Sequence, residues 1–157
     1  MSDSSGGSGP DRAPTTLAPC PSCGGVNRVE TARALAESAV CGRCQAALPF
    51  HRLVCEASGA GVQKVVRQAD GPVVVDLWAT WCPPCRMYGP IFEEVSTELA
   101  GEAVFLKVNT EENQEFSTRL GVTSIPTTLV YVGGQIVARQ PGALRKPDLI
   151  ALIRRHS

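Results

Sequence analysis

The chain has 157 residues, room for one ordinary domain or one domain with a small appendage. Its 15 basic and 15 acidic residues cancel, so nothing in the charge balance draws it to nucleic acid or an anionic membrane. No apolar run approaches the ~20 residues of a membrane span, while a 43% apolar content permits a packed core.

Residues 1–18 are rich in Ser, Gly and Pro and hold no apolar segment, so they read as a flexible tail and not as a secretory signal. A cytoplasmic, reducing location follows as the default. There, clustered cysteines serve metal binding or redox chemistry more often than structural disulfides. The chain has seven cysteines: three Cys-x-x-Cys pairs and a remainder, Cys55.

Residues 19–50 form a short cysteine-bounded module with a helical-looking piece, "VETARALAESAV", between two pairs. A segment this short, with few large apolar side chains, cannot bury a core of its own. Cys20, Cys23, Cys41 and Cys44 follow the pattern C-x2-C-x17-C-x2-C, which falls within the spacing of a four-cysteine zinc site. Each pair forms a turn aiming two thiolates at one point, and Gly24 and Gly42 let backbone amides turn close to sulfur. Arg28 or Arg43 would offset the charge of about −2 on such a site. Two disulfides, or four free thiols, are the competing readings. A closed shell of four thiolates gives a structural Zn2+ and leaves the chemistry to another part of the chain.

Residues 51–157 read as a second domain. "HRLVCEA" suits an edge strand and places Cys55 in it as a buried, inert thiol, with a regulatory or dimer-forming thiol as the alternative. "GVQKVVRQAD" suits a short helix, and the continuous apolar run "PVVVDLWA" a central strand buried on both faces. "CRMYGPIFEEVSTELA" is helical, with Pro90 expected to kink it. "AVFLKVN" is a strand, "NQEFSTRLG" a helix stopped at Gly121, and "TTLVYVGGQIVARQ" a hairpin turning at Gly133–Gly134. "KPDLIALIRRH" closes the chain as an amphipathic helix. The order βαβαβαββα predicts an α/β fold, a mixed central sheet with helices on both faces.

The third pair, Cys82 and Cys85, follows a buried strand and opens a helix. A helix N-terminus favours thiolate, and the second cysteine lies one turn below, placed to attack a mixed disulfide. This context exposes one thiolate above its partner and predicts a redox-active disulfide, Cys82–Cys85. Pro83 and Pro84 fit a first turn, where their missing N–H groups would be unpaired. Asp76, within an apolar run, is expected to be buried with a raised pKa, which suits a base taking a proton from Cys85; a solvent-facing Asp76 is the alternative.

From Leu53 to Ile153 the chain resembles the thioredoxin family, through "VVVDLWATWCPPCRMYGPIFEEV", "VFLKVNTEEN", "LGVTSIPTTLVYVGGQIV" and "PGA". With the four-cysteine segment in front, it is similar to the zinc-binding bacterial thioredoxins of the second cytosolic type. The resemblance implies a thioredoxin fold preceded by a zinc-ribbon-like module, and a protein-disulfide reductase. Cys82 is then the attacking thiolate, Cys85 the resolving thiol, and Lys107 the partner of Asp76. Trp81, Ile125, Pro126 (in a cis-proline turn) and Gly142 line the groove for a substrate chain. It further implies protein disulfide substrates, recycling by an NADPH-dependent flavin reductase, and a monomer.

Reducing thioredoxins usually carry Gly-Pro between the cysteines, whereas tryparedoxins and nucleoredoxins show the Pro-Pro found here. A dedicated donor to one peroxidase or reductase is therefore an alternative, and a zinc-module redox sensor or binding protein another. Trp78, Phe92, Leu99 and Val73–Val75 are expected to be core without special role.

Overall fold

A computed structural model describes residues 13–157. Two sheets organise the described residues. The smaller pairs β1 (Thr15–Pro19) antiparallel with β2 (Val26–Glu30), followed by the single-turn α1 (Thr31–Leu35). The larger has six strands: β3 (Phe50–His51), β4 (Val54–Glu56), β5 (Val73–Trp78), β6 (Val104–Asn109), β7 (Thr127–Val132) and β8 (Gln135–Pro141). Their spatial order is β3-β4-β6-β5-β7-β8, with β4, β6 and β5 parallel and the remaining pairs antiparallel. The helices are α2 (Gly59–Gln68), α3 (Pro83–Glu98), α4 (Gln114–Leu120) and α5 (Lys146–Arg155). From β4 onward the order is the βαβαβαββα read from the sequence.

Central β5 is buried from Val73 to Leu77 because both faces are covered. Side chains alternate between faces with period two. Val73, Val75 and Leu77 therefore join Val62, Val65 and Phe116 of α2 and α4 on one side. Val74 joins Phe92, Val95, Leu149 and Ile153 of α3 and α5 on the other. The β7–β8 loop has φ of 60° at Gly133 and 82° at Gly134, the paired left-handed conformation of a tight two-residue hairpin. Gly121 ends α4 at φ 69°. Helix α3 continues through Pro90 to Glu98.

Three expectations change in the N-terminal part. The tail assigned to residues 1–18 is in part a strand: β1 begins at Thr15, and Thr16 to Pro19 are buried against β2 and α2. Residues 1–12 of that tail lie outside the described residues. Helix α1 is five residues long, since Val26–Glu30 is taken by strand pairing. The division after Phe50 falls inside β3, whose Phe50 pairs with Cys55. Leu17, Ala18, Cys20, Val29, Ala34, Cys41 and Leu48 belong to the same apolar cluster as Val65, Leu106 and Leu129. The cysteine module thus shares its core with the larger sheet.

Candidate functional site

The turn after β5 delivers Cys82 to the N-cap of α3, with Pro83 and Pro84 at the first two helical positions. Neither proline has an N–H, so the first amide of the helix belongs to Cys85. It donates to Cys82 Sγ at 3.2 Å, and the Arg86 amide donates to Cys82 O at 3.2 Å. The donors of the first turn are thereby either missing or used. The two cysteines form a disulfide with their Cα atoms 5.2 Å apart.

Exposure does not separate the two sulfurs as the sequence reading expected. Cys82 is 2% and Cys85 4% exposed, because Ala79, Trp78 and Ile125 pack around them. Direction separates them. Cys82 Sγ faces the outer turn, 3.7 Å from Ile125 O, whereas Cys85 lines an inner cavity with Asp76. Ile125–Pro126 is a cis peptide bond, and Gly142 (φ 90°) donates its N–H to Pro126 O at 2.8 Å. Trp81, 64% exposed, and Met87 are large apolar side chains open to solvent next to the pair in sequence. The fold therefore brings Cys82, Ile125, Pro126 and Gly142 together.

The inner cavity, about 150 Å³, is lined by Asp76, Cys85, Trp78, Lys107, Glu93 and Gly89 among others. Asp76 is buried, and its Oδ1 has no hydrogen-bond partner among the described residues. Burial pushes its carboxyl up to about 7, opposed by the positive charge of Lys107. Lys107 stands in register with Asp76 on the neighbouring strand. Its Nζ lies 4.8 Å from the centre of the Trp78 ring, a cation–π arrangement, and makes no ion pair with Asp76.

Trp78 is accordingly more than the core residue expected. It lines this cavity and a larger cleft of about 440 Å³ that runs past Lys107 to Cys20 and Gly24 of the module. The signal was available in the sequence: Trp78 is two residues from Asp76 on a strand and so shares its face.

The other four cysteines also converge. Their sulfurs lie within 4.8 Å of one another, with Cys20–Cys44 and Cys23–Cys41 each 3.6 Å apart. That separation is far from the ~2.05 Å of a disulfide and close to the edge of about 3.8 Å of a tetrahedron with ~2.3 Å Zn–S bonds. The donor set fits Zn2+.

The two turns are near copies. Cys20 N donates to Gly25 O and Cys41 N to Ala46 O, both at 2.8 Å; Gly24 N donates to Cys20 O and Gln45 N to Cys41 O, both at 2.9 Å. The Ser22 and Cys23 amides approach Cys20 Sγ, and the Arg43 amide approaches Cys41 Sγ. The Cys23 amide foremost, with that of Ser22, lowers the Cys20 thiol against burial; the Cys44 and Arg43 amides bring Cys41 down to about 6.

The glycine reading of these turns is half corrected. Gly24 is left-handed (φ 79°), but its counterpart in the second turn is Gln45 (φ 69°), and Gly42 instead donates to Asn27 Oδ1 at 2.9 Å. Arg28 bonds Thr15, while Arg43 packs along Gly25. The cation that sequence reading missed is Lys64 of α2, which donates to Gly24 O at 3.0 Å. Cys55 is fully buried, its thiol pushed up to about 12 chiefly by burial.

No described helix is long and apolar enough to cross a membrane. Residues 53–155 match the family model described as Thioredoxin. The chain is 41% identical over 103 residues to a thioredoxin of Haemophilus influenzae, covering 66% of this chain and 96% of that protein. It is 40% identical over 131 residues to thioredoxin C-3 of Corynebacterium nephridii, covering 83% of this chain and 88% of that protein. The second match is too long to fit within residues 53–157, so it extends into the cysteine module.

Proposed function

Because this chain belongs to the thioredoxin family, whose members are disulfide oxidoreductases, we propose that Cys82 and Cys85 reduce protein disulfides by dithiol–disulfide exchange. The carrying observation is the placement of the pair: Cys82 at the N-cap beside Ile125 O, Cys85 on the cavity that holds Asp76.

In the dithiol form, Cys82 thiolate attacks one sulfur of the substrate disulfide. A Cys82–substrate bond forms, the substrate S–S bond breaks, and the leaving thiolate takes a proton from water. Cys85 then gives its proton to the Asp76 carboxylate across the cavity and attacks Cys82 Sγ. The Cys82–Cys85 bond forms and the second substrate sulfur leaves as thiolate. Two electrons pass from the pair to the substrate. The substrate backbone pairs along Ile125–Pro126, with Gly142 leaving room and Trp81 covering one side. Lys107 acts on Asp76 through space.

A flavin reductase drawing on NADPH returns the electrons, and the chain works in the cytoplasm as a monomer. Cys20, Cys23, Cys41 and Cys44 hold a structural Zn2+. The segment that carries these four cysteines, entered through β1 and ending at β3, acts as a zinc module built onto the core of the thioredoxin domain.

Two variants test this reading. Cys82→Ser abolishes insulin-disulfide reduction in the presence of NADPH and a flavin reductase, and turnover surviving in it would sink the mechanism. Cys85→Ser accumulates mixed disulfides through Cys82, seen as reductant-sensitive adducts by mass spectrometry.

A further inference from the structure

Across the sheet at the level of Asp76 runs a polar row on the α3 face. Glu56 of β4 registers with Lys107 of β6, Lys107 with Asp76 of β5, and Asp76 with Thr128 of β7. The preceding row on the same face is apolar where β5 meets β7, with Val74 against Val130. Thr128 is fully buried, and so is Tyr88 of α3, three residues after Cys85. Tyr88 Oη and Thr128 Oγ1 lie 2.7 Å apart against an apolar cluster that includes Phe92, Val95 and Leu99. A buried polar pair in such a layer is costly unless its hydrogen-bonding capacity is met.

It is not met within the pair. Two hydroxyls carry two protons, and their mutual bond uses one. Neither oxygen has another partner among the described residues. The neighbour in register is a buried carboxylate whose Oδ1 has no donor. Directly paired residues on one face hold their Cβ atoms about 5 Å apart, so Thr128 and Asp76 are neighbours across the strands, and no hydrogen bond joins them in this disulfide form.

We propose that Tyr88 and Thr128 are positioning residues for Asp76, a hydroxyl relay that turns its free O–H onto the carboxylate once the proton has left it. This rests on the reading of Asp76 as acceptor of the Cys85 proton. Burial first, and then the charge of Asp76, pushes the Tyr88 phenol up, consistent with the two groups acting on one another. The other groups facing Asp76 are Lys107 from β6, Cys85, Arg86 and Glu93 from α3, and, beyond Lys107, Glu56 from β4. None of these is a neutral donor fixed to β7. From that side only the pair has a neutral O–H to offer the carboxylate.

The test uses the full chain with Cys82–Cys85 oxidised and follows the Asp76 carboxyl carbon by NMR across pH. Replacing both hydroxyls, Tyr88→Phe with Thr128→Val, removes donor and acceptor together, a change that is close to neutral for folding. The double variant is expected to move the Asp76 midpoint upward by about one pH unit, the loss of one hydrogen bond to a charged group. Tyr88→Phe alone, which keeps the ring packing, serves if the double variant is unfolded and moves the midpoint the same way. A shift below about 0.3 unit in a folded variant overturns the proposal. The rate at which Cys85 releases a substrate from Cys82 is read alongside. If its pH profile follows the carboxyl in both proteins, relay and pair stand together. If the carboxyl moves and the rate profile does not, the pair keeps its role and the Asp76 relay fails.

Discussion

Asp76 and Lys107 stand in register on adjacent parallel strands, both on the face that α3 covers, yet no ion pair joins them. The ammonium instead lies over Trp78, and the carboxylate keeps an unpartnered oxygen in the cavity behind Cys85. An ion pair would hold Asp76 ionised throughout the working range. Withholding it leaves burial as the dominant influence and brings the carboxyl to about 7, where it can accept a proton and give it back.

That arrangement has a cost in stability with a defined pH window. The folded-state pKa of Asp76 lies above its unfolded value, so between about pH 4 and pH 7 the folded chain binds the extra proton. Stability from this group is therefore full at the acidic end, falls as pH rises through the window, and stays at the lower level above it. Asp76→Asn removes the dependence. At pH 8 the variant is expected to be more stable than the parent by up to about 4 kcal/mol, and near pH 4 to be equal to it. Urea unfolding at the two pH values checks this, and equal midpoints at pH 8 would contradict a buried, raised carboxyl.

Lys107 pulls in the opposite direction to burial, because its positive charge favours the ionised carboxylate. Lys107→Met should then move the midpoint for release of substrate from Cys82 to higher pH and slow release at pH 7. Since the ammonium is not in contact with Asp76, the change is expected to be about one pH unit or less. A downward shift would mean that Lys107 acts on the site by packing against Trp78 and not by its charge.

For the four-cysteine cluster, the shared core decides what breaking up the cluster would do. Cys20 and Cys41 are buried in the cluster that contains Val65 and Leu106, and Lys64 of α2 bonds Gly24 O. The chain is expected to carry one Zn2+, and Co2+ in its place should give the absorption of a tetrahedral thiolate site. Cys41→Ser should lower the melting temperature of the whole chain by several degrees, about 1–3 kcal/mol, in one transition. Two separate transitions would mean that the module unfolds without the larger sheet.

Where residues could be read from sequence, the cause was local. The run Val73–Leu77 marks a strand covered on both faces, and Gly133–Gly134 marks a hairpin, because each pattern is fixed by neighbours in the chain. Cys82 and Cys85 were legible for the same reason, as a strand end followed by a helix start. Strand β1 was not. "TTLAP" has the composition of a tail, and its burial depends on residues 26–30 and on α2, all distant in sequence. The partner of Gly24 across the two turns was missed because Gln45 takes a left-handed conformation that its side chain does not advertise. Trp78 looks like core, as any large apolar residue on a central strand does, until its shared face with Asp76 is weighed.

Gly59 gives the sharpest packing prediction, because its reason is neither a turn nor a left-handed φ. It opens α2 after the N-cap Ser58, and its N–H donates to Asn113 Oδ1 at 3.1 Å. A Cβ at this position would lie 2.6 Å from Phe116 Cγ and 2.7 Å from Phe116 Cβ, so the ring of α4 rests directly on the glycine backbone. Phe116 is buried and is the only buried residue of that short helix. Its ring cannot retreat without lifting α4 from the sheet. Gly59→Ala is therefore expected to destabilise the chain by about 1–3 kcal/mol, although alanine is the better helix former. Denaturant unfolding of Gly59→Ala, Phe116→Ala and the double variant, which removes Cγ and Cδ1 of Phe116, separates the causes. A loss in the double variant smaller than the sum of the two identifies the clash, whereas additive losses would place the cost in the backbone of α2.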